Sequence, residues 1–303
     1  MKKDILNGIL TVIRKNFDDI HINPDNNTLH HYTIIEGLFG IIKSKTIYAT
    51  HAAFLNDKSE LSHAKDLLIE SFKEISSELT NPDDKKIIET LVLHYSKKPF
   101  PEVYIASFSS AGNDLSQWRA YGKSNEMYSL AFNYIFLANT LSMYGELTSV
   151  IYDDKLAKSI FKFTFFKVLE HFKGIKYSER IEDYLIYIFD LYLPVIKNSH
   201  FSSEKEYRLI IRLDVFAKIG IEKPKDLEIF HKVSNKRVVP YLKIPLINEF
   251  THLDDTLLEY VMIGPNDQQD LSSFSVASLL DKEWQLMMGE ERIKKSNIPF
   301  RGS

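Results

Sequence analysis

The sequence predicts an α+β fold with a mixed, mostly antiparallel sheet and peripheral helices. Segments with strand character and segments with helical spacing follow each other without the regular alternation that a doubly wound parallel sheet requires. Apolar residues make up 44% and charged residues 26% of the 303 residues, which is usual for a chain with a sizeable core. Because no repeat or clear linker interrupts the pattern, we expect one domain over residues 1–303, with a helical insertion at about 154–200.

The strands of this sheet are predicted from short runs that are rich in β-branched and aromatic residues. Residues typical of turns lie at both ends of each run. The clearest run begins at Glu206 and alternates as far as Leu213. The predicted strands cover residues 29–32, 46–50, 103–108, 127–132, 147–152, 206–213, 227–233, 237–244, 258–263 and 292–296.

Apolar residues at helical spacing predict the helices. Ile5, Ile9, Ile13 and Phe17 define an amphipathic first helix. Residues 33–36 have the pattern of a capping box and predict a helix that starts directly after the first strand. Further helices are predicted at about 57–76, 85–95, 154–173, 179–197 and 268–281, and the segment 109–122 is predicted as a loop.

Charge, cysteine content and hydropathy exclude several classes of protein. The formal net charge of −3 gives no overall basic character, although a local basic surface is compatible with it. The chain has no cysteine, which excludes disulfides and thiolate sites and suits a reducing cytoplasm. Because no apolar run approaches about 20 residues and the N-terminus lacks a signal-peptide pattern, we expect a cytoplasmic protein without a membrane partner.

The common catalytic and cofactor motifs are missing from the sequence. It contains no P-loop, no dinucleotide-binding glycine motif, no zinc-protease pattern and no nucleophile elbow. Since none of the ten histidines has another four residues away, we expect no metal site of that kind. The sequence is still compatible with an enzyme whose active site lacks these motifs.

The segment Ser116 to Gly122 is the richest in chemistry. Ser116, Trp118, Arg119 and Tyr121 offer a hydroxyl, an indole, a guanidinium and a phenol within six residues. Aromatic rings and a guanidinium are good partners for a flat, partly cationic ligand. The alternative is a structural loop with a buried Trp118 and an Arg119 paired with a carboxylate.

Two further groups of polar residues lie on predicted strands. On the first strand His31 and Thr33 share one face, where a histidine beside a hydroxyl can hold a ribose or a phosphate. The alternative is a core histidine and a helix cap. At the start of the sixth strand, Glu204 and Glu206 share a face with Arg208. One interpretation is a plain ion pair. The other is that one carboxylate stabilises a positively charged transition state, as the cleavage of a glycosidic bond requires.

Together these segments resemble a widespread bacterial family of unknown function. The family pattern combines an HYT strand, an LND segment, an SQWRxYG loop and an ExEYR strand. The corresponding residues here are Leu29 to Thr33, Thr50 with Leu55 to Asp57 and Glu60, Ser116 to Gly122, and Glu204 to Arg208. The turn at 263–265 and the end at 298–301 also look like that family.

A second, more distant similarity is to the ADP-ribosyltransferase superfamily, and the segment His31 to Ile41 is similar to the opening of its DarT-like members. The resemblance implies an ADP-ribosyltransferase core with NAD as co-substrate and no metal. It implies that His31 holds the adenine-side ribose, that Tyr48, Trp118 or Tyr121 packs on nicotinamide, and that Glu206, or Glu204, is the catalytic carboxylate. Further NAD contacts are expected from Tyr32, Thr33, Ser116 and Arg119.

The function implied by this resemblance is a bacterial toxin or phage-defence effector that modifies a macromolecule. The acceptor, nucleic acid or protein, stays open, and a partner or antitoxin protein is a further expectation. A nuclease-type effector is one alternative, with the run Asp83 to Lys86 as its best metal-binding segment. The other alternative is a non-catalytic module that senses a ligand or binds a protein.

Overall fold

The fold is described from a computed structural model. It describes residues 8, 11, 23–55, 60–97, 103–121, 126–173, 181–214, 216, 222–234, 236–247, 257–284 and 292–299. Most of the predicted first helix, the segment 56–59 and the chain end at 300–303 lie outside these residues.

One mixed sheet of ten strands forms the centre of the described residues. The strands are β1 (Thr28–Ile34), β2 (Thr46–His51), β3 (Tyr104–Ser109), β4 (Met127–Asn133), β5 (Glu146–Ser149), β6 (Glu206–Ile211), β7 (Ile229–Ser234), β8 (Arg237–Pro245), β9 (Leu258–Ile263) and β10 (Ile293–Lys295). Their order is β10-β9-β4-β1-β3-β2-β8-β7, and β6 pairs with both β3 and β5. The one parallel pair among these strands is β9 with β10, so the predicted mixed, mostly antiparallel sheet is confirmed.

Strand β3 divides the sheet into two parts. Its one edge pairs along its whole length with β6. Its other edge is shared, because β1 pairs with it at His30 and Ser109 while β2 pairs with it at Thr50 and His51. Residues 106–108 therefore face a gap between β1 and β2, which we call the fork.

Helices cover both faces of the sheet. They are α1 (Ile35–Ser44), α2 (Glu60–Glu78), α3 (Pro82–Lys97), α4 (Leu115–Tyr121), α5 (Tyr134–Leu141), α6 (Asp154–Phe172), α7 (Ile181–Tyr192) and α8 (Gln269–Trp284). On one face α1, α5 and α8 pack on alternate residues of the strands, such as Phe108 and Leu209. On the opposite face α2, α3, α6 and α7 enclose Ile105 and Ile210 in a second core. The predicted helices at 154–173 and 179–197 thus belong to a four-helix layer over the sheet.

The predicted capping box at residues 33–36 is wrong. Strand β1 continues through Thr33 and Ile34, which pair with Tyr128 and Met127 of β4, and α1 begins at Ile35 without a side-chain cap. The ladder with β4 therefore determines the backbone of Thr33, and its hydroxyl is not available as a helix cap.

The segment that was predicted as a loop contains the short helix α4. The carboxylate of Asp114 accepts the backbone N–H groups of Ser116 at 2.8 Å and Gln117 at 3.2 Å, which is the geometry of an N-cap. The buried Trp118 then fixes the helix against Tyr32 of β1. A cap and one large apolar residue are sufficient to order this segment.

Among the described helices, none combines the length and the apolar character that crossing a membrane requires.

The packing of α6 makes a prediction about stability. Phe161 is wholly buried against Phe189 and Tyr192, whereas Phe163 on the same helix is 36% exposed. We expect Phe161→Ala to lower the free energy of unfolding by about 3–5 kcal/mol, because it removes a buried ring and leaves a cavity. Urea unfolding followed by circular dichroism measures this, with Phe163→Ala as the matched control. Equal losses in both variants would contradict the packing of this layer.

Candidate functional site

The candidate site is built around Glu206, the first residue of β6. Its carboxylate accepts two hydrogen bonds from Arg208, from Nε and Nη2, each at 2.8 Å. Lys197 donates a third at 3.0 Å. Glu206 and Arg208 share one face because they are two residues apart on a strand, and both are buried. The ion pair that the sequence offered as an alternative is therefore present, in bidentate form.

These cations keep Glu206 ionised in spite of its burial. Burial by itself would raise the pKa of Glu206. The guanidinium of Arg208, the ammonium of Lys197 and the hydroxyl of Ser107 outweigh that effect and hold the pKa at about 2. Glu206 is thus a fixed anion whose two oxygens are already occupied by protein donors.

Glu204 is the more exposed carboxylate of the pair. It ends the 3-10 helix Ser199–Glu204, and its side chain is 30% exposed where that of Glu206 is 7% exposed. Lys197 bonds it at 2.6 Å. The backbone between the two glutamates turns through Lys205, whose φ of 44° lies in the left-handed region. This turn brings both carboxylates to one ammonium while only Glu204 has substantial contact with solvent.

The backbone of Glu204 is also held by β3 and α4. Its carbonyl oxygen accepts the hydroxyl of Ser109 at 2.7 Å and the side-chain amide of Gln117 at 3.3 Å. Gln117 belongs to the SQWR segment, so α4 positions the glutamate pair through that amide.

Lys197 is the member of the cluster that the sequence did not indicate. It lies after α7 in an irregular stretch, 6% exposed at its side chain, with the ring of Phe201 at 5.0 Å from Nζ. The repulsion between two close carboxylates is a signal that some cation must lie near them. In the sequence, Arg208 already provided such a cation two residues after Glu206. The position of Lys197 in the sequence did not distinguish it from the other lysines.

His31 lies at the fork. Its Nδ1 donates to the backbone carbonyl of Ser107 at 2.9 Å, which leaves Nε2 as an acceptor in the neutral ring. Burial lowers the pKa of His31, and the charge of Lys232 lowers it further, so the ring is neutral near pH 7. The His31 ring thus bonds a carbonyl group of β3 that has no neighbouring strand of the described sheet as a partner on this edge.

Ser107 joins His31 to the glutamate cluster. Its carbonyl oxygen accepts a hydrogen bond from the His31 ring, and its hydroxyl helps to lower the pKa of Glu206. Ser107 also faces Arg208 in the pairing of β3 with β6. The early histidine and the late glutamate, which are far apart in the sequence, therefore meet on two sides of one residue.

Tyr48 lies on the other side of the fork. It comes two residues before β2 joins β3, and its side chain is 38% exposed. The ring packs on Tyr241 with centroids 4.5 Å apart, and Lys232 Nζ lies 5.4 Å from its centroid. Of the three aromatic residues expected to pack on a ligand ring, Tyr48 is the one whose ring is described and accessible.

The remaining expected ligand contacts have different surroundings. Trp118 is 0% exposed and donates its indole N–H to Asn113 at 2.9 Å, so it offers no ring face to a ligand in this conformation. Tyr32 is buried edge-on against Trp118 and donates its phenol to the carbonyl of Ala111. Thr33 is half-buried, with its hydroxyl so close to α1 that a Cβ at position 37 would lie 1.9 Å from it.

The polar ends of α4 point to solvent. Ser116 is exposed and bonds the carboxylate of Asp114, and Arg119 is exposed. The side chain of Tyr121 lies outside the described residues.

The described residues give little support to a metal site. They contain no group of three or more His, Asp and Glu side chains that could hold a metal ion. Asp83 and Asp84 lie in the first turn of α3, where carboxylates stabilise the helix dipole.

Comparison with known proteins gives one match. Residues 117–209 match a family model with the description Protein of unknown function (DUF2971). The matched region starts inside α4 and ends in β6, so it includes Lys197, Glu204, Glu206 and Arg208. The match supports the similarity to a family of unknown function, over a part of the chain that excludes His31 and Tyr48. No curated protein and no solved structure matches the chain.

The buried carboxylate predicts a particular dependence of stability on pH. Since the pKa of Glu206 is about 2 in the folded protein and about 4.5 when exposed, its contribution to stability is complete above about pH 4.5. That contribution is lost as the pH falls from about 4.5 towards 2. Near pH 7 we expect Glu206→Gln to cost about 3–5 kcal/mol, because buried Arg208 loses its counter-ion.

The test is urea unfolding of both proteins over this pH range. We expect the difference in the free energy of unfolding to narrow as the pH falls through the range in which Glu206 becomes protonated. A difference that stayed constant from pH 7 to pH 3 would contradict the assigned role of Glu206.

Proposed function

We propose that the chain is an NAD-consuming ADP-ribosyltransferase that acts on a macromolecule. The observation that carries this proposal is that His31, at the fork, and Glu206, on the β6 edge of β3, lie on either side of Ser107. A histidine on an early strand and a glutamate on a late strand are the two elements on which the similarity to that superfamily rests. Their common neighbour in the folded chain supports a core of ADP-ribosyltransferase type.

Glu204 is the residue to which we assign the catalytic role. It lies 2.6 Å from Lys197 and is the more exposed member of the pair, so it can approach a ligand from solvent. A fixed carboxylate stabilises positive charge that develops on a ribose carbon, and such electrostatic effects are large in a partly enclosed site. Glu206 cannot approach a ligand while Arg208 and Lys197 occupy its oxygens, and we assign it to positioning Glu204 through Lys197.

The fork supplies further ligand contacts. The neutral His31 ring could accept a ribose hydroxyl at Nε2, and the Tyr48 ring, in a residue that is 38% exposed, suits contact with a flat ring. The nicotinamide of NAD is cationic while bound and would leave as a neutral ring with the electron pair of the C–N bond, so the chain would need no acid to protonate it. A nucleophilic group of the macromolecule would form the new bond to the ribose carbon and lose its proton. An anion, a neutral histidine and an exposed aromatic ring fit this requirement. The role as a toxin or defence effector stays a prediction from the sequence.

The decisive variant is Glu204→Gln. It removes the more exposed carboxylate, while Lys197 keeps its bond to Glu206. We expect the rate of nicotinamide release from NAD to fall by about a hundredfold or more. Chromatography of NAD and nicotinamide measures it, with the exposed Glu89→Gln as a control of equal charge change and thermal unfolding as a check on the fold.

The outcomes separate the proposal from its rivals. Full activity in folded Glu204→Gln would refute the assigned carboxylate, and activity lost only in Glu206→Gln would transfer the role to Glu206. A wild-type protein that bound NAD without releasing nicotinamide would be a binding module rather than an enzyme.

His31 makes a separate prediction about affinity. We expect His31→Gln to raise the KM for NAD by about tenfold, because one hydrogen bond to the ligand is lost or misplaced. The kcat should change less, since His31 does not contact the bond that breaks. Initial rates at varied NAD measure both, with exposed His200→Gln as the control. An unchanged KM would place the ribose elsewhere.

A further inference from the structure

The hairpin of β7 and β8 carries a local group of basic residues. Residues 229–247 contain Lys232, Lys236, Arg237 and Lys243 and no aspartate or glutamate, in a chain whose net charge is −3. No carboxylate pairs with any of these four side chains within the described residues. This concentration of unpaired cations produces a local positive potential that the overall composition conceals.

Aromatic rings alternate with these cations on one face of the hairpin. Phe230 and Tyr241 are opposite each other across the ladder, and Lys232 and Lys243 lie two residues along from them on the same face. Lys243 Nζ lies 4.4 Å from the ring centroid of Phe230, and Lys232 Nζ lies 5.3 Å from that of Tyr241. Rings and ammonium groups thus occupy the same surface.

Lys232 has an energetic reason to attract an anion. Partial burial lowers its pKa, and its contacts are with the faces of Tyr48 and Tyr241 rather than with a carboxylate. Cation–π contacts offset only part of the loss of hydration. A bound anion would supply the missing counter-charge.

The hairpin extends beyond the rest of the sheet. β7 is the last strand in the order, and Val233 and Val238 near the turn are 80% and 63% exposed. Lysines on an edge strand also discourage pairing with another sheet, which is the simpler explanation of their presence. That explanation accounts for the charges, but it does not account for the aromatic rings arranged between them.

We propose that this face of the β7–β8 hairpin binds a single-stranded nucleic acid. The cations would neutralise successive phosphates, and Phe230 would stack on an unpaired base, which is the usual combination for single-strand binding. In a duplex the faces of the bases are stacked on each other. A duplex could therefore contact the lysines and the arginine through its phosphates, but its bases could not stack on Phe230. Binding at this surface does not depend on the proposed transferase activity, and NAD is not required for it.

The experiment measures binding of fluorescein-labelled oligouridylate and oligothymidylate by anisotropy, without NAD, over a series of salt concentrations. The test variant is Lys236→Gln/Arg237→Gln/Lys243→Gln. The control is Lys85→Gln/Lys155→Gln/Lys282→Gln, which removes three exposed lysines from helices and changes the net charge equally. Phe230→Leu tests the stacking, with the exposed Phe274→Leu as its control.

We expect the hairpin triple variant to bind at least about tenfold more weakly than the control. The slope of log affinity against log salt should decrease in magnitude by about 2, since each lost phosphate contact removes about 0.7 for a single strand. Phe230→Leu should weaken binding by about tenfold with an unchanged salt slope. Preference for oligouridylate or oligothymidylate would identify RNA or DNA as the natural ligand.

Several results would overturn the proposal. They are no binding by the wild type, equal binding by the two triple variants, tighter binding of a duplex than of the single strand, or equal dependence on these residues for binding anionic lipid vesicles. Glu204→Gln should bind the oligonucleotides as the wild type does, so failure of the transferase proposal and failure of this one give different results.

Discussion

The ion pairs of Glu206 with Arg208 and Lys197 are the interaction on which the rest of the structure depends. They connect β6 at the centre of the sheet to the segment that follows α7, because Arg208 also donates to the carbonyl of Pro194 at 3.0 Å. A buried carboxylate without these partners would be very costly, and buried cations without the carboxylate would be equally so. The position of the helical layer over the sheet and the position of Glu204 therefore follow from the same network.

Much of the fold could be predicted from the sequence because the strands alternate clearly. The expected strands at 206–213, 237–244 and 258–263 agree closely with β6, β8 and β9. The helices α4 and α5 were not predicted because each is short, and their start signals, Asp114 and Asn133, are single side chains. A single Asp or Asn indicates a helix N-cap only when the residues after it also show a helical pattern.

The candidate site was less predictable than the fold. The spacing of Glu206 and Arg208 indicated an ion pair, because residues two apart share a face of a strand, whereas Glu204 joins them from the 3-10 helix that precedes β6. The fork depends on which distant strands pair with β3. Lys197 reaches the glutamates because the chain after α7 passes beside β6. Neither is a local property of the sequence. Trp118 was the most conspicuous residue of the chain, yet it is 0% exposed, because a large ring serves core packing as readily as ligand binding.

The fork also has a mechanical meaning. The strands β1, β4, β9 and β10 form one panel, and β2, β8 and β7 form another, with each panel attached to opposite ends of the same edge of β3. The angle between the two panels therefore sets the width of the gap, and the ladder between β3 and β6 does not depend on that angle. The bond from His31 to the carbonyl of Ser107 crosses this gap from the first panel. The opening thus lies over the part of β3 whose other edge is fully paired with β6.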